Sequence, residues 1–346
     1  MKKRIFAALL GPVPDGADRV RLVDGRPGRH FRYPDGLLQR GAEEAGREAH
    51  LLRPALSQGG DGGLHHLPRR GHADPGGLLY EGLFALDGSF APQPALAESY
   101  TYDAARYTYT ITLRSGVTFS DGSAVTAQDV VNSLRRAQSS ARYSGRLAEV
   151  SDIRASGGAV RITLTGDNRS FVSRLDIPIV KSGTESSTFP TGTGPYAYSG
   201  EGGAHLAKNA SWWQGKSLPL ERIELTACKD TDSVSYAFYA REVQLLFCDL
   251  TGADDSSVYG SGDYTDAATT IMQYLCLNTR RAPFDDPAVR RAVTLGVDRA
   301  SCVSAYLLGH GLAAQFPVSP ASGLYPKDLE TAYSQDGYAS ALERRG

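Results

Sequence analysis

The sequence of 346 residues lacks a surplus of charge of either sign, and it lacks long apolar runs. Its 37 Lys and Arg residues stand against 38 Asp and Glu residues, which leaves a net charge of -1. Nucleic-acid binders normally carry a basic surplus, so this balance argues against that class. No run reaches the roughly 18 apolar residues that a membrane-spanning helix requires. Hydrophobic residues still make up 41% of the chain, which is enough for the cores of two or three domains.

Cysteine is scarce, and the cysteines that are present do not form close pairs. Cys228, Cys248, Cys276 and Cys302 are too far apart for the C-x-x-C spacing of zinc and redox motifs. We expect them to be small buried hydrophobic residues. Their spacing neither excludes a disulfide nor assigns one.

Catalytic and phosphate-binding motifs are also missing. The sequence holds no G-x-S-x-G, G-x-x-x-x-G-K-[ST], H-E-x-x-H or G-x-G-x-x-G pattern. In Gly192–Pro195 the proline removes an N–H that phosphate binding would use, so we predict a tight turn before a strand at Tyr196–Tyr198. Asp285-Asp286 resembles a catalytic carboxylate pair, but a helix N-cap beside a solvated neighbour explains it better.

Residues 11–77 differ in composition from everything that follows. They contain 14 Gly and 10 Arg but no Ile, Thr, Lys or Asn. Met1–Leu10 begins like a secretory signal, and its apolar run then stops. Because Gly, Arg and Pro share GC-rich codons, we interpret 11–77 as an out-of-frame tract. When one chosen set of codons for the start of this tract is read one base further along, it encodes Leu-Thr-Gly-Cys, which has the form of a lipoprotein cleavage site. We expect no strand period and no packed unit there, and a genuine disordered leader is the alternative.

Regular patterns begin near Leu78. Tyr107–Arg114 alternates apolar and polar residues, which predicts a half-buried strand. Thr126–Asp129 is a capping box, and the apolar stripe behind it predicts a helix. Gly157-Gly158 between two alternating segments predicts a hairpin. Strands and helices without a regular βαβ alternation favour a mixed α/β or α+β architecture.

Two more helices are predicted near the C-terminal end. Asp286-Pro287 starts one with an N-cap and a first-turn proline, and Asp298 starts the next, which Gly309 closes. Trp212-Trp213 is either a ligand-stacking pair or, more commonly, one core ring and one boundary ring. The buried face of the first helix is predicted to contain Val289, Ala292, Val293 and Val297.

Five stretches together resemble a known family. The two longest are LLYEGLFALDGSFAPQPALAESY (Leu78–Tyr100) and YTYTITLRSGVTFSDGSAVTAQDVVNSLRRA (Tyr107–Ala137). GTGPYAY (Gly192–Tyr198), KNASWWQGKSLPLERIEL (Lys208–Leu225) and YLCLNTRRAPFDDPAVRRAVTLGVDR (Tyr274–Arg299) follow in the family's order. They resemble family 5 extracellular solute-binding proteins, the peptide- and nickel-binding receptors of ABC importers.

The resemblance implies a type II periplasmic-binding-protein fold, in which two lobes close on a ligand and a small domain is inserted. Mapped onto this chain, 1–77 is a degenerate signal and an out-of-frame disordered leader. The first main-lobe strand should fall within this tract and is therefore expected to be missing. The inserted domain is 78–178, the main-lobe segment is 179–270, and 271–346 begins a truncated second lobe. We therefore expect poor solubility, weak or undetectable peptide binding, and Val289, Val293 and Val297 left partly uncovered.

The function that the resemblance implies is that of a receptor without catalysis. It would be the substrate-binding component of an ABC transporter, monomeric, binding oligopeptides or a related small solute and docking on permease subunits. Family members are periplasmic or extracellular lipoproteins, whereas this chain lacks an intact signal and is expected to stay in the cytoplasm. We expect no cofactor, no nucleic acid and no metal site. A hydrolase using Asp285, Asp286 or Glu242, or a fragment without function, are the alternatives.

Five residues are candidate ligand contacts under this resemblance. Tyr143 follows the capped helix, where the family often presents an aromatic side chain to the ligand. Tyr80 and Glu81 open the inserted domain near the edge of the cleft, and Tyr274 and Asn278 lie where the chain passes into the second lobe. For each of them, ordinary packing or hinge structure is the alternative.

Overall fold

The structure is a computed structural model that describes residues 2–4, 51–52, 55–57, 76–228, 231–245, 248–249 and 266–330. Its strands are β1 (Lys2–Arg4), β2 (Leu51–Leu52), β3 (Ala55–Ser57), β4 (Phe84–Leu86), β5 (Pro92–Pro94), β6 (Ala97–Asp103), β7 (Thr108–Leu113), β8 (Val150–Ser156), β9 (Ala159–Leu164), β10 (Tyr196–Ser199), β11 (His205–Lys208), β12 (Arg222–Glu224), β13 (Thr226–Cys228), β14 (Cys248–Asp249) and β15 (Asp266–Ala268). Its α-helices are α1 (Gly76–Leu79), α2 (Ala127–Gln138), α3 (Thr231–Tyr239), α4 (Pro287–Gly296), α5 (Arg299–Leu307) and α6 (Lys327–Glu330).

An antiparallel sheet in the order β6-β7-β9-β8 carries the larger hydrophobic core, here called the first cluster. The predicted alternation is confirmed, because Tyr109 pairs with Ile162 and Ile111 pairs with Val160, and all four side chains are buried. The hairpin at Gly157-Gly158 is confirmed by the pairing of β8 with β9. Helix α2 packs against these two strands, and the apolar side chains that it buries are Val130, Val131, Leu134 and Ala137.

The start of α2 is fixed by the predicted capping box. Thr126 Oγ1 accepts a hydrogen bond from the backbone N–H of Asp129 at 3.2 Å, and Asp129 Oδ2 accepts one from the N–H of Thr126 at 2.9 Å. Asp129 Oδ1 also accepts the N–H of Ser182 at 3.0 Å. One buried carboxylate therefore caps the helix and holds the returning chain against it.

The second cluster lies on a sheet in the order β10-β11-β12-β2. Strands β2 and β3 pair in parallel with β12 and β13, although the sequence of the tract 11–77 shows no strand period. Backbone pairing with a neighbouring strand selects the extended conformation there, which the local composition does not signal. Apart from Gly76 and Gly77 at the start of α1, the rest of the tract lies outside the described residues.

The chain crosses between the two clusters twice, and the crossings lie side by side. Tyr80 belongs to the second cluster and Leu83 to the first; on the return, Ile179 belongs to the first and Val180 to the second. The N–H of Ile179 donates to the carbonyl oxygen of Glu81 at 3.0 Å, which ties the crossings together. They lie near the predicted domain boundaries, and the division into domains remains our proposal.

Residues 266–330 expose much of their apolar surface. The predicted N-cap is confirmed, because Asp286 Oδ1 accepts the N–H of Ala288 at 2.7 Å and Pro287 occupies the first turn of α4. The expectation that α4 has a buried face was wrong, since none of its residues is buried. The described neighbours do not cover its apolar stripe, so Val289 and Val293 are half-buried and Val297 is 36% exposed.

Two of the cysteines also differ from the expectation. Cys276 and Cys302 are exposed free thiols, because they lie on this uncovered part of the chain. The side chains of Cys228 and Cys248 lie outside the described residues. Across the described ranges, none of the helices has the length and the apolar character needed to cross a bilayer.

Candidate functional site

Three motifs that lie far apart in the sequence meet where the two clusters adjoin. We call this region the motif junction and define it as residues 78–82, 192–195 and 209–214. The N–H of Gly194 donates to the carbonyl oxygen of Leu79 at 3.0 Å, and Asn209 Nδ2 donates to the carbonyl oxygen of Gly194 at 2.9 Å. The motifs that carry the family resemblance are therefore neighbours in space.

The glycines of the GTGP turn are needed for close backbone packing. A Cβ atom at Gly192 would lie 2.1 Å from the carbonyl oxygen of Leu79 and 2.5 Å from Cδ1 of Tyr80. A Cβ atom at Gly194 would lie 2.4 Å from the carbonyl oxygen of Leu78. Neither position tolerates a side chain without a shift of the neighbouring backbone. A bend at Gly194-Pro195 precedes β10, and steric fit accounts for the two glycines.

Glu81 receives three side-chain donors from consecutive residues. Its Oε2 accepts the indole N–H of Trp213 at 2.6 Å, and its Oε1 accepts Nε2 of Gln214 at 2.8 Å and the indole N–H of Trp212 at 3.4 Å. An ionised carboxylate has acceptor sites for all three donors. The carboxylate thus joins the crossing at 80–83 to the loop that follows β11.

The two indole rings are placed by this carboxylate and by two cations. The guanidinium carbon of Arg114 lies 5.2 Å from the centre of the Trp213 ring, and Nζ of Lys216 lies 5.9 Å from that of Trp212. Trp213 also packs against the first cluster. Both tryptophans are half-buried, so the expectation of one core ring and one boundary ring was wrong. Both indoles donate to the same carboxylate, and neither is fully buried.

Two carboxylates near the returning crossing are strongly stabilised in the ionised form. The hydrogen bond from Lys181 Nζ to Asp121 Oδ2, at 2.6 Å, together with donation from Ser123, lowers the pKa of Asp121 to about 2. Burial of Asp129 opposes ionisation, but hydrogen bonds from Thr126 and Ser182 outweigh it and lower the pKa of this carboxyl group. Both groups are negatively charged at neutral pH.

Tyr143 and Tyr80, two of the predicted ligand contacts, are buried side chains. Tyr143 is 5% exposed and belongs to the first cluster, with the guanidinium carbons of Arg142 and Arg146 at 5.4 Å and 5.8 Å from its ring centre. Tyr80 is 7% exposed and belongs to the second cluster. Packing therefore accounts for the position of both rings.

Tyr274 and Asn278, the other predicted contacts besides Glu81, lie on the surface. Tyr274 is 75% exposed. Asn278 Oδ1 accepts the N–H of Arg280 at 3.0 Å, and this hydrogen bond shapes the turn before α4. The five predicted residues thus occupy different surroundings, and their assignment to ligand binding stays a prediction.

The residues named for a hydrolase all lie at exposed positions. Asp286 is the N-cap of α4, while Asp285 and Glu242 are exposed to solvent. Within the described ranges, no three His, Cys, Asp or Glu side chains lie close enough to hold a metal ion. Four of the histidines lie outside the described residues: His50, His65, His66 and His72.

Sequence reasoning missed two members of the motif junction and one residue that contacts it. Gln214 and Asn209 flank the tryptophan pair and make hydrogen bonds to Glu81 and Gly194, while Arg114 lies against Trp213. Each is a polar residue within one of the quoted stretches. This position in the sequence was the available signal, but it does not identify the partner, which for Gln214 lies 133 positions away.

The sequence profile of the bacterial extracellular solute-binding proteins, family 5 Middle, matches residues 91–343. The chain belongs to this family. Glutathione-binding protein GsiB of Shigella flexneri serotype 5b and that of Escherichia coli K12 are each 28% identical to it over 276 residues, or 74% of this chain. The chain spans 52% of the length of these curated relatives, or about half.

Solved structures show the same fold. A nickel ABC transporter protein from Bacillus halodurans matches 79% of this chain and 58% of its own, with a TM-score of 0.60 and 24% identity. The oligopeptide-binding protein AppA from Bacillus subtilis, solved with a nonapeptide, matches 86% of this chain and 64% of its own, with a TM-score of 0.52 and 22% identity. These likenesses confirm the predicted mixed α/β fold of the periplasmic-binding-protein type.

Proposed function

We propose that this chain is the solute-binding component of an ABC importer, that it takes a short peptide or a related small solute, and that it has no catalysis of its own. The family match over residues 91–343 carries the proposal. Two relatives are named for glutathione, which is a tripeptide derivative, and AppA was solved with a nonapeptide. Ligand binding would shift the balance between open and closed forms, and the closed form would dock on permease subunits.

The five predicted residues enter this proposal in two ways. Tyr274 and Asn278 are exposed, so a ligand can contact their side chains directly. Tyr80 and Tyr143 are buried, and Glu81 already accepts three hydrogen bonds, so these three would shape the walls around the ligand.

Calorimetric titration of the full chain with reduced glutathione, triglycine and a nickel–histidine complex tests the proposal. We expect saturable one-to-one binding of a peptide, in the roughly millimolar range, without turnover. Because much of the apolar surface of 271–330 is uncovered, few contacts from that side are expected to add affinity. Bound peptide should raise the melting temperature by mass action.

Matched tyrosines separate a ligand contact from a general surface effect. Tyr274→Ala should weaken peptide binding, because a large exposed ring is removed without loss of packing. Tyr306→Ala is the control, since Tyr306 is 80% exposed on α5 and is not a predicted contact. Equal losses in both variants would contradict the proposed site. If the protein hydrolyses the peptide, and if Asp286→Asn abolishes this hydrolysis while the variant remains folded, the result would favour an enzymatic function.

A further inference from the structure

The hydrogen bond between Glu81 and Trp213 lies where three separate chain segments meet. The crossing at 80–83 contributes the carboxylate, the loop at 212–214 contributes the donors, and the segment after β7 contributes Arg114. Arg114 is itself fixed, because its Nε donates to the carbonyl oxygen of Ala95 at 3.2 Å. The ring of Trp213 thus has a cation beside it and an anion on its indole N–H.

The segments joined in this way belong to different hydrophobic clusters. Arg114 directly follows strand β7 of the first cluster, whereas the loop at 212–214 connects β11 and β12 of the second. Hydrophobic contact is not directional, so it does not by itself fix how one cluster is oriented on the other. Hydrogen bonds to a shared carboxylate are directional and do fix that orientation.

We infer that Glu81 is a positioning residue that fixes the orientation of two units relative to each other. The β6–β9 unit is the sheet β6-β7-β9-β8 with the first cluster, and the β10–β12 unit is the sheet that carries the second cluster. We call the hydrogen bonds on Glu81 that fix this orientation the clamp. Its ligand-binding consequence rests on the proposed function: the clamp holds the cleft walls that Tyr80 and Tyr143 help to form in the binding-competent orientation. In our proposal this role replaces direct ligand contact for Glu81, because donors at 212–214 already use three of the roughly four acceptor sites of its carboxylate.

The chain provides its own optical reporter for this clamp. It contains 2 Trp residues, and both donate to Glu81. The tryptophan fluorescence of the whole protein therefore reports on the motif junction alone. A change in emission or in quenching by acrylamide is a local measurement even in the full chain.

Glu81→Gln is the informative substitution. The amide keeps one acceptor oxygen but directs an NH2 group at N–H donors, so at least one hydrogen bond is lost at nearly constant volume. Trp213→Phe removes the shortest of the three hydrogen bonds and keeps an aromatic ring in place. Glu98→Gln is the control, because Glu98 is an exposed carboxylate on β6.

The decisive readout is the relative orientation of the two units. Spin labels introduced as non-canonical amino acids at Thr101 and Glu201, both exposed, report a distance between the units and leave the native cysteines in place. We expect Glu81→Gln and Trp213→Phe to broaden this distance distribution, and Glu81→Gln to raise acrylamide quenching about twofold. Circular dichroism should stay unchanged, and Glu98→Gln should behave like the parent protein.

Binding of reduced glutathione gives the second arm of the experiment. If the weakened clamp leaves only a minor fraction of molecules in the binding-competent orientation, the apparent affinity of Glu81→Gln for reduced glutathione should fall about threefold to tenfold. A parent protein that binds no peptide would contradict the proposed function. The distance distribution would still test the positioning role of Glu81, because that measurement needs no ligand. Unchanged distance distributions in both Glu81→Gln and Trp213→Phe would overturn the inference.

Discussion

Trp213 donates its indole N–H to the carboxylate of Glu81 at 2.6 Å, although 132 residues separate them along the chain. Each residue lies in a motif that marks the family. Their hydrogen bond, together with the backbone contact between Gly194 and Leu79, shows that these motifs include residues that hold the framework together. Residues that identify a family therefore do not have to contact its ligand.

The close packing at Gly192 can be tested by adding a single methyl group. Gly192→Ala should lower the free energy of unfolding by about 3 kcal/mol or more, because its Cβ would meet the carbonyl oxygen of Leu79. Urea denaturation measures the loss. Gly145→Ala is the control, since a Cβ there meets no atom within 4 Å. Similar losses in both variants would contradict the close approach.

The capping box of α2 should contribute measurably to stability. Thr126→Ala removes the side-chain oxygen that accepts the N–H of Asp129, and it should cost about 1 kcal/mol. Thr126→Ser keeps that oxygen and should retain most of the stability. Thermal unfolding of both variants checks the expectation, which fails if alanine and serine are equally destabilising.

The ion pair between Asp121 and Lys181 should make stability depend on acid pH. The pKa of Asp121 is lowered from 3.8 to about 2, so its contribution is complete above pH 3.8 and is lost as the pH falls through about 2. Because both side chains are partly exposed, we expect about 0.5–1 kcal/mol from this pair at neutral pH.

Denaturation of the parent protein and of Asp121→Asn across this range measures that contribution. The stability difference between the two proteins should be constant near neutral pH, shrink below about pH 4 and vanish near pH 2. A difference that persists undiminished at pH 2 would show that the ionised carboxylate is not its source.

The exposed thiols of Cys276 and Cys302 should react in the native protein. A thiol reagent such as dithionitrobenzoate needs only access to the sulfur and its thiolate form. Cys276→Ser and Cys302→Ser should each remove one equivalent from the fast phase of the reaction. A fast phase that keeps its amplitude in either variant would show that the corresponding thiol is not accessible.

Local sequence patterns predicted much of the fold around the first cluster. The strand at Tyr107–Arg114, the capped helix and the hairpin follow from alternation, capping and paired glycines, all of which act within a few residues. The strands β2 and β3 were not predicted, since their extended backbone depends on pairing with β12 and β13. The apolar stripe of α4 by itself does not reveal whether a neighbour covers it; the expectation that Val289, Val293 and Val297 are left partly uncovered came from the resemblance.

The family and its mixed α/β fold followed from the sequence, because ordered motifs and local periodicity are properties of the chain itself. The surroundings of the candidate residues were decided only by the tertiary structure. Burial of Tyr143, exposure of Tyr274 and the three donors on Glu81 all depend on segments far apart in the sequence. Hydrogen bonding and packing act through space, so a residue's role becomes visible only when the segments that surround it are in place.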